Sequence, residues 1–207
     1  MKKGQQTRER IIAQAAPVFN AYGYEGATMS QLMEATGLEK GGIYRHFGSK
    51  EELAMESFKF AWHTVLEVRL RGLDDVPTAL GKLRHIIDNF VEVRSPVSGG
   101  CPLLNTAMDC DDGNPALREL AKETLRNWQQ RLMRIVEDGI RSGEITNTTS
   151  PKITANVLIS TLEGAVMITR LERSLDALHD ARTALFAHLE TIATRSLRHT
   201  GKRHSKD

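Results

Sequence analysis

Lys40, Tyr44, Arg45, His46 and Lys50 crowd two ammonium groups, a guanidinium, a phenol and an imidazole into one short run of sequence. Each can donate to a phosphate oxygen, and Lys and Arg also reach the acceptors on a guanine edge. Gly41 and Gly42 stand among them, and a stretch without side chains lets backbone approach a duplex closely. Thr28 adds a hydroxyl where a helix is expected to begin. This chemistry recognises a polyanion; it does not make or break bonds. The other reactive types point away from catalysis. His46, His63 and His85 have no ligand-like spacing to a cysteine or carboxylate. No nucleophile elbow, phosphate-binding glycine loop or dinucleotide fingerprint occurs. A non-enzymatic protein without metal or cofactor is therefore expected.

Elements that can hold such a set must be helices, because apolar residues recur at helical rather than alternating spacing throughout. A first helix is predicted from about Arg8 to Tyr22, with Ile11, Ile12, Ala15, Phe19 and Tyr22 on one face. Pro17 inside it predicts a bend or local irregularity. Thr28-Met29-Ser30-Gln31 is a capping box opening a second helix, which Gly37 closes. A short third helix spans about Gly41 to Phe47. Ser49 to Glu52 is a second capping box, opening a fourth helix to about Arg71. Five further helices are predicted: Pro77 to Arg94, Pro102 to Cys110, Pro115 to Arg141, Pro151 to Leu171, and Ser174 to Arg198. The second and third helices, joined by a tight turn, form a helix-turn-helix whose second member enters the major groove. The competing expectation for Tyr44 and His46 is packing between the first and fourth helices.

Residues 8–53 resemble the DNA-binding head of the TetR/AcrR family. The likeness rests on Phe19, Gly23-Tyr24, Thr28, Ala35-Thr36-Gly37-Leu38 and, above all, the run from Gly42 to Leu53. The resemblance implies phosphate contacts from Thr28, Tyr44, His46 and Lys50; Arg45 is expected on the same outward face from its position in the third helix. It implies that Lys40 and the Gly41-Gly42 backbone face the bases. It also implies an all-α fold of about nine helices: a three-helix head over residues 1–52 and an effector-binding and dimerisation domain over 53–198. A basic tail, 199–207, is expected to be disordered.

The body must be read on its own residues. Candidate effector contacts are Trp62, His63, Phe90, Met108, Trp128 and Met167, the large apolar or polarisable side chains of the middle helices. Cys101 precedes Pro102 at a predicted helix start, where free amides stabilise a thiolate. It is read either as an effector or electrophile contact, making the protein a thiol-based sensor, or as a buried small hydrophobe. Cys110 would face the opposite side of that helix. The Pro151 helix is apolar nearly all round, so it is expected to bury two faces. Val157, Thr161, Gly164, Ala165 and Ile168 there, with Leu185, Leu189 and Ile192 on the last helix, are the predicted homodimer interface. The expected partners are thus double-stranded operator DNA, a second copy of the chain and a small-molecule effector.

Bulk properties fit this frame. The chain has 207 residues, 40% hydrophobic and 26% charged, with no apolar run long enough to span a membrane. No apolar run follows Met1, and two cysteines make no disulfide framework, so a cytoplasmic protein is expected. Net charge is only +2. The first fifty residues carry seven Lys/Arg against four Glu, an excess of three that supports the DNA reading weakly.

Overall fold

The computed structural model describes residues 3–111 and 113–194. The expected disordered tail lies outside these residues. Among them the chain is all-α: α1 (Lys3–Gly26), α2 (Met29–Thr36), α3 (Lys40–Tyr44), α4 (Lys50–Leu70), a single 3-10 turn (Leu73–Asp75), α5 (Ala79–Glu92), α6 (Pro102–Asp109), α7 (Pro115–Arg141), α8 (Pro151–Glu172) and α9 (Asp176–Ile192). The described residues fall into two compact units. One runs to residue 68 and takes in 95–125; the other combines 69–94 with the residues from 126 onward.

The first unit is built around Ile11, Ile12, Ala15, Leu32, Ile43, Phe47 and Leu53, which fix α1 to α2 and α3. Thr28 caps α2 as its sequence requires. Its Oγ1 accepts from Gln31 N at 3.3 Å, and Gln31 Oε1 accepts from Thr28 N at 2.8 Å. Gly37 closes α2 in the left-handed region. The second capping box is offset: Glu52 N donates to Ser49 Oγ at 3.0 Å, but the Glu52 carboxylate reaches Gly48 N, one residue before the cap. The third helix ends at Tyr44, three residues earlier than expected, and Phe47 is carried into the core by a turn.

The irregularity expected at Pro17 falls elsewhere. α1 keeps helical dihedrals through the proline and leaves them at Gly23 (φ 73°, ψ 177°), which offsets a last turn ending at Gly26. That backbone region is essentially restricted to glycine. A Cβ on Gly23 would also lie 2.2 Å from Asp109 Oδ1. The Asp109 carboxylate accepts instead from Tyr24 N at 2.7 Å.

A polar clasp lies beside it. Asn20, buried near the end of α1, donates from Nδ2 to the carbonyl of Ser98 at 2.7 Å and to that of Gly100 at 3.2 Å. Asn105 Nδ2 donates to Gly99 O at 2.8 Å, Asn20 O at 2.9 Å and Asn20 Oδ1 at 3.0 Å. Gly99 (φ 106°) permits this approach, since a Cβ there would lie 2.9 Å from Asn20. At the start of α7, the Asn114 amide donates to the Glu51 carboxylate. α6 and the loop before it are thereby tied to α1, and the start of α7 to α4.

In the second unit, α5 is strongly amphipathic and buries Leu83, Ile86, Ile87, Phe90 and Val91. Pro77 lies two residues before the helix start. Thr78 is the cap, its Oγ1 accepting from Gly81 N at 3.1 Å, so α5 begins at Ala79. Leu178, Ala181, Leu185 and Leu189 are the buried face of α9. Val91, Ala165, Leu178 and Ala181 form one core cluster. α9 stops at Ile192 rather than near Arg198. Ala193 turns extended and bridges to Ile145, with Ile192 O accepting from Thr146 N and Glu144 O from Thr194 N, both at 2.9 Å. Pairing with the turn after α7 takes the backbone groups that a longer helix would have used.

Among the described residues, no helix is long and apolar enough to cross a membrane.

Candidate nucleic-acid interface and effector crevice

In α3, Ile43 is buried and faces the core with Phe47, which leaves Lys40, Gly41, Tyr44 and Arg45 exposed. Lys40 Nζ lies 6.0 Å from the centroid of the Tyr44 ring, one helical turn away. The two side chains thus cover adjoining parts of one face. His46 is half-buried in the turn after α3, and His46 N donates to Ile43 O at 2.9 Å. Lys50, at the start of α4, is half-buried with its Nζ 4.7 Å from the Tyr24 ring centroid. The Tyr24 hydroxyl is pushed above the usual phenol range, by burial first and then by the Glu51 carboxylate. The ring beneath the Lys50 ammonium therefore stays a neutral phenol.

Two of the predicted contacts need refining. The glycines are not equivalent. A Cβ on Gly41 would meet nothing within 4 Å, whereas one on Gly42 would touch Leu38 at 3.4 Å. Gly41 is the open position; Gly42 is small because Leu38 packs on it. The Thr28 hydroxyl is already engaged, donating to Gln31 Oε1 at 2.9 Å while accepting from Gln31 N. What Thr28 offers a phosphate is a held helix terminus more than a free hydroxyl. Arg8 stabilises the back of this face, bonding Glu52 and Glu56 at 3.3 Å each and lying 4.7 Å from the Phe47 ring centroid.

Residues 11–56 match the model of bacterial regulatory proteins of the tetR family, and residues 79–185 match that of the tetracyclin repressor-like C-terminal domain. A TetR transcriptional regulator of Chloroflexus aurantiacus is 42% identical. It superposes with a TM-score of 0.88, the alignment covering 93% of this chain and 98% of that one. The chain belongs to the TetR family. A TetR-family regulator of Cytophaga hutchinsonii is 32% identical, with a TM-score of 0.88 over 94% of this chain and 98% of that one. The transcriptional repressor DhaR of Mycobacterium sp. strain GP1 is 22% identical over 183 residues, 88% of this chain and 91% of its own. This TetR protein is a DNA-binding transcriptional regulator with an N-terminal helix-turn-helix and a helical C-terminal domain.

The expected effector contacts do not form one pocket. Phe90 and Trp128 do come together. With Leu83, Leu132, Leu158 and Glu163 they line a narrow apolar crevice among α5, α7 and α8, about 290 Å³ when the space open to solvent is included and only about 10 Å³ of free cavity. Trp62 and Cys101 belong to the first unit, in a cluster with Phe58, Leu103 and Ala121. Cys101 is 7% exposed, and both it and Cys110 are free thiols. Burial first, and then Asp109, push the Cys110 thiol above its usual range. His63, Met108 and Met167 are corrections. The His63 side chain is exposed and pairs with Glu67 at 3.4 Å, Met108 is 72% exposed and Met167 52% exposed. Each projects from the outer face of its helix, so none lines the crevice. Sequence reading missed Glu163, the one carboxylate among apolar crevice walls; a charged residue inside an otherwise apolar helix was the available signal.

The expected dimer seam is also corrected. Leu185 and Leu189 are 1% and 0% exposed, and Ala165 is buried, so all three are used inside the protomer. Ile192 is half-buried beside the Ala193 bridge. Val157, Thr161, Gly164 and Ile168 remain at the surface, each half-buried or exposed. With Ile153, Met167 and Leu171, all exposed, they outline a bare apolar stripe along α8. Its members Ile153, Val157, Ser160, Gly164, Met167 and Leu171 follow alternating steps of four and three, the spacing of a helix-pairing seam. A Cβ on Gly164 would meet nothing within 4 Å.

Proposed function

We propose that this protein is a homodimeric repressor that holds a palindromic operator through α2 and α3 and is released by a small apolar or aromatic effector in the Phe90–Trp128 crevice. The observation that carries the reading is the division of α3: Ile43 goes to the core while Lys40, Gly41, Tyr44 and Arg45 stand exposed. Lys40 addresses a base edge; Tyr44, Arg45, His46 and Lys50 hold phosphates and set the register. The α8 stripe supports a second copy as partner, since small Ser160 and Gly164 at its middle let two helices approach closely. Two copies give two heads, which must sit about 34 Å apart to read successive major grooves. An effector that binds better to the wrongly spaced form weakens DNA binding, and DNA weakens effector binding by the same factor. The similarity to DhaR, a transcriptional repressor, favours repression over activation. The protein acts where its operator lies, in the cytoplasm.

The test is a gel-shift series on operator fragments recovered by sequencing the DNA bound in the native genome. Tyr44→Ala combined with Lys50→Ala weakens binding to every fragment and flattens its salt dependence, because fewer counterions are released. Lys40→Ala relaxes preference at one or two base pairs, at about 1–3 kcal/mol for the lost contact. Full-strength binding by the double variant overturns the assignment.

A further inference from the structure

The second unit carries a groove that the crevice does not use. It lies among the 3-10 turn, α5 and α7, encloses about 910 Å³ including its open mouth, and its lining exposes more polar than apolar surface. Lys82 enters it from α5; Arg131 and Arg134 enter it from α7. No described residue forms a hydrogen bond or ion pair with any of these three side chains, whereas many other surface cations of the molecule are paired: Arg84 with Glu190, Lys122 with Glu119, Arg141 with Asp138. Two carboxylates also line the groove. Asp138 is engaged by Arg141 at 2.9 Å, which leaves Asp74 as the one acid opposing three cations. Asn127 and Gln130 add amide groups along the same face of α7, and buried Leu73 and Ile135 supply an apolar floor.

We propose that this groove binds a phosphate-bearing small organic anion of nucleotide size. Unpaired guanidinium groups one helical turn apart suit phosphate oxygens, which accept their N–H groups in pairs. Lys82 adds a third charge from a different helix, so a phosphate chain held by all three bridges α5 and α7. The apolar floor takes a flat ring, while Asp74, Asn127 and Gln130 are acceptors and donors for its hydroxyl and amino groups. Without its open mouth the groove holds about 410 Å³, within the range of small-ligand sites. The groove and the crevice share helices but not side chains. α7 presents Trp128 and Leu132 to the crevice and Asn127, Arg131 and Arg134 to the groove; α5 presents Leu83 to one and Lys82 to the other. An anion tying Lys82 to α7 therefore acts on the walls of the crevice from behind. The proposal goes beyond the operator and crevice reading and does not depend on it.

Isothermal titration of the full chain with ADP, inorganic pyrophosphate and adenosine tests it. ADP binds once per protomer and more tightly than pyrophosphate, and adenosine binds at least tenfold more weakly than ADP. Arg131→Gln combined with Arg134→Gln weakens ADP at least tenfold, the loss expected when two charge-assisted hydrogen bonds go. Both arginines are exposed, so the variant keeps its helical circular dichroism. Lys40→Ala combined with Lys50→Ala, which removes the competing anion site in the head, leaves ADP binding within twofold. No binding of either phosphate compound by the native chain, equal ADP binding by the arginine variant, or loss of binding in the head variant alone each overturns the proposal. Pyrophosphate binding as tightly as ADP overturns the nucleotide-sized class and leaves a plain phosphate site.

Discussion

The two units solve different problems with the same helical material. In the first, the chemistry is polar, exposed and compressed into a short run, and the fold's task is to hold a small face still. It does so with directional bonds: the Thr28–Gln31 box, the Asn20–Asn105 clasp, and Asp109 on Tyr24 N. In the second, the surfaces proposed to bind an effector, an anion or a second copy are apolar or broadly charged and drawn from helices far apart in sequence. There the fold's task is to leave something uncovered: a crevice beside Trp128 and a stripe along α8. A reader of DNA must be rigid before its target arrives. A receptor and an assembling surface must keep free area for a partner to bury.

That contrast is broken most completely at Gly164. Within one protomer the position is open, so Gly164→Arg leaves the protomer folded. In a close helix pair it inserts a charge where another backbone must pass, and an unpaired buried charge is strongly destabilising. Light scattering at micromolar concentration is expected to report a dimer for the native chain and a folded monomer for the variant, with operator binding lost. A native chain that is already monomeric removes the stripe as a partner surface.

Gly23 probes the first unit with the opposite logic, because there a small residue is needed inside the protomer. Gly23→Ala meets a glycine-only backbone region and the Asp109 carboxylate together. Strain of this kind amounts to about 1–3 kcal/mol. Chemical denaturation is expected to show that loss. Gly41→Ala, at a helical position with open space, stabilises folding by up to about 1 kcal/mol. The same Gly41→Ala change weakens operator binding if the α3 backbone lies against DNA. Equal folding stabilities for the two variants dissolve the distinction between a braced glycine and an exposed one.

These positions also mark what sequence reveals. Local devices were legible: the Thr28–Gln31 box, the starts of α7 at Pro115 and α8 at Pro151, and the left-handed end at Gly37 depend on residues within a turn of each other. Pro77 misleads because Thr78 after it is the better cap. The Asn20–Asn105 clasp was not legible, since nothing local to either asparagine names a partner 85 residues away. Periodicity marks the apolar positions of α8 and α9. It does not say which of them a protomer buries: Leu185 and Leu189 fit a helix-pairing seam in sequence, but α9 uses them within the chain. Large side chains such as Met108 and Met167 suggest ligand contacts in sequence, but size does not fix the face on which a residue stands. The Gly41–Gly42 pair reads alike in sequence and differs only by Leu38 lying against one of them.

Cys101 tests whether switching belongs to the second unit at all. The thiol is nearly buried among Phe58, Leu103 and Ala121, a setting for a small apolar side chain. On the crevice reading, Cys101→Ser releases operator in response to effector as the native chain does, and electrophiles or oxidants have no specific effect on either. Rapid operator release by such reagents in the native chain, lost in Cys101→Ser with DNA affinity intact, moves the switch into the first unit and makes the protein a thiol sensor.

The smallest expected effect sharpens the comparison by pH. Glu56 is held below the ordinary carboxylate range, chiefly by the hydrogen bond from Lys59 at 3.0 Å and, more weakly, by Arg8 at 3.3 Å. A carboxyl lowered in the folded state stabilises the fold above its unfolded value, about 4.3, and that contribution disappears as pH falls through the folded value. The group is partly exposed and screened, so Glu56→Gln is expected to lower stability at neutral pH by only about 0.2–1 kcal/mol. Melting temperatures of native and variant should therefore differ slightly but steadily from pH 7 down to about 5, then converge below about 4 as the native carboxyl is protonated. Raising the salt narrows the gap at neutral pH without moving the point of convergence far. Arg8 also bonds Glu52 and lies over Phe47, so losing one of its carboxylate partners loosens the back of the DNA face without unmaking it. A gap that persists unchanged at pH 3 would mean that Glu56 supports the first unit by packing rather than by charge.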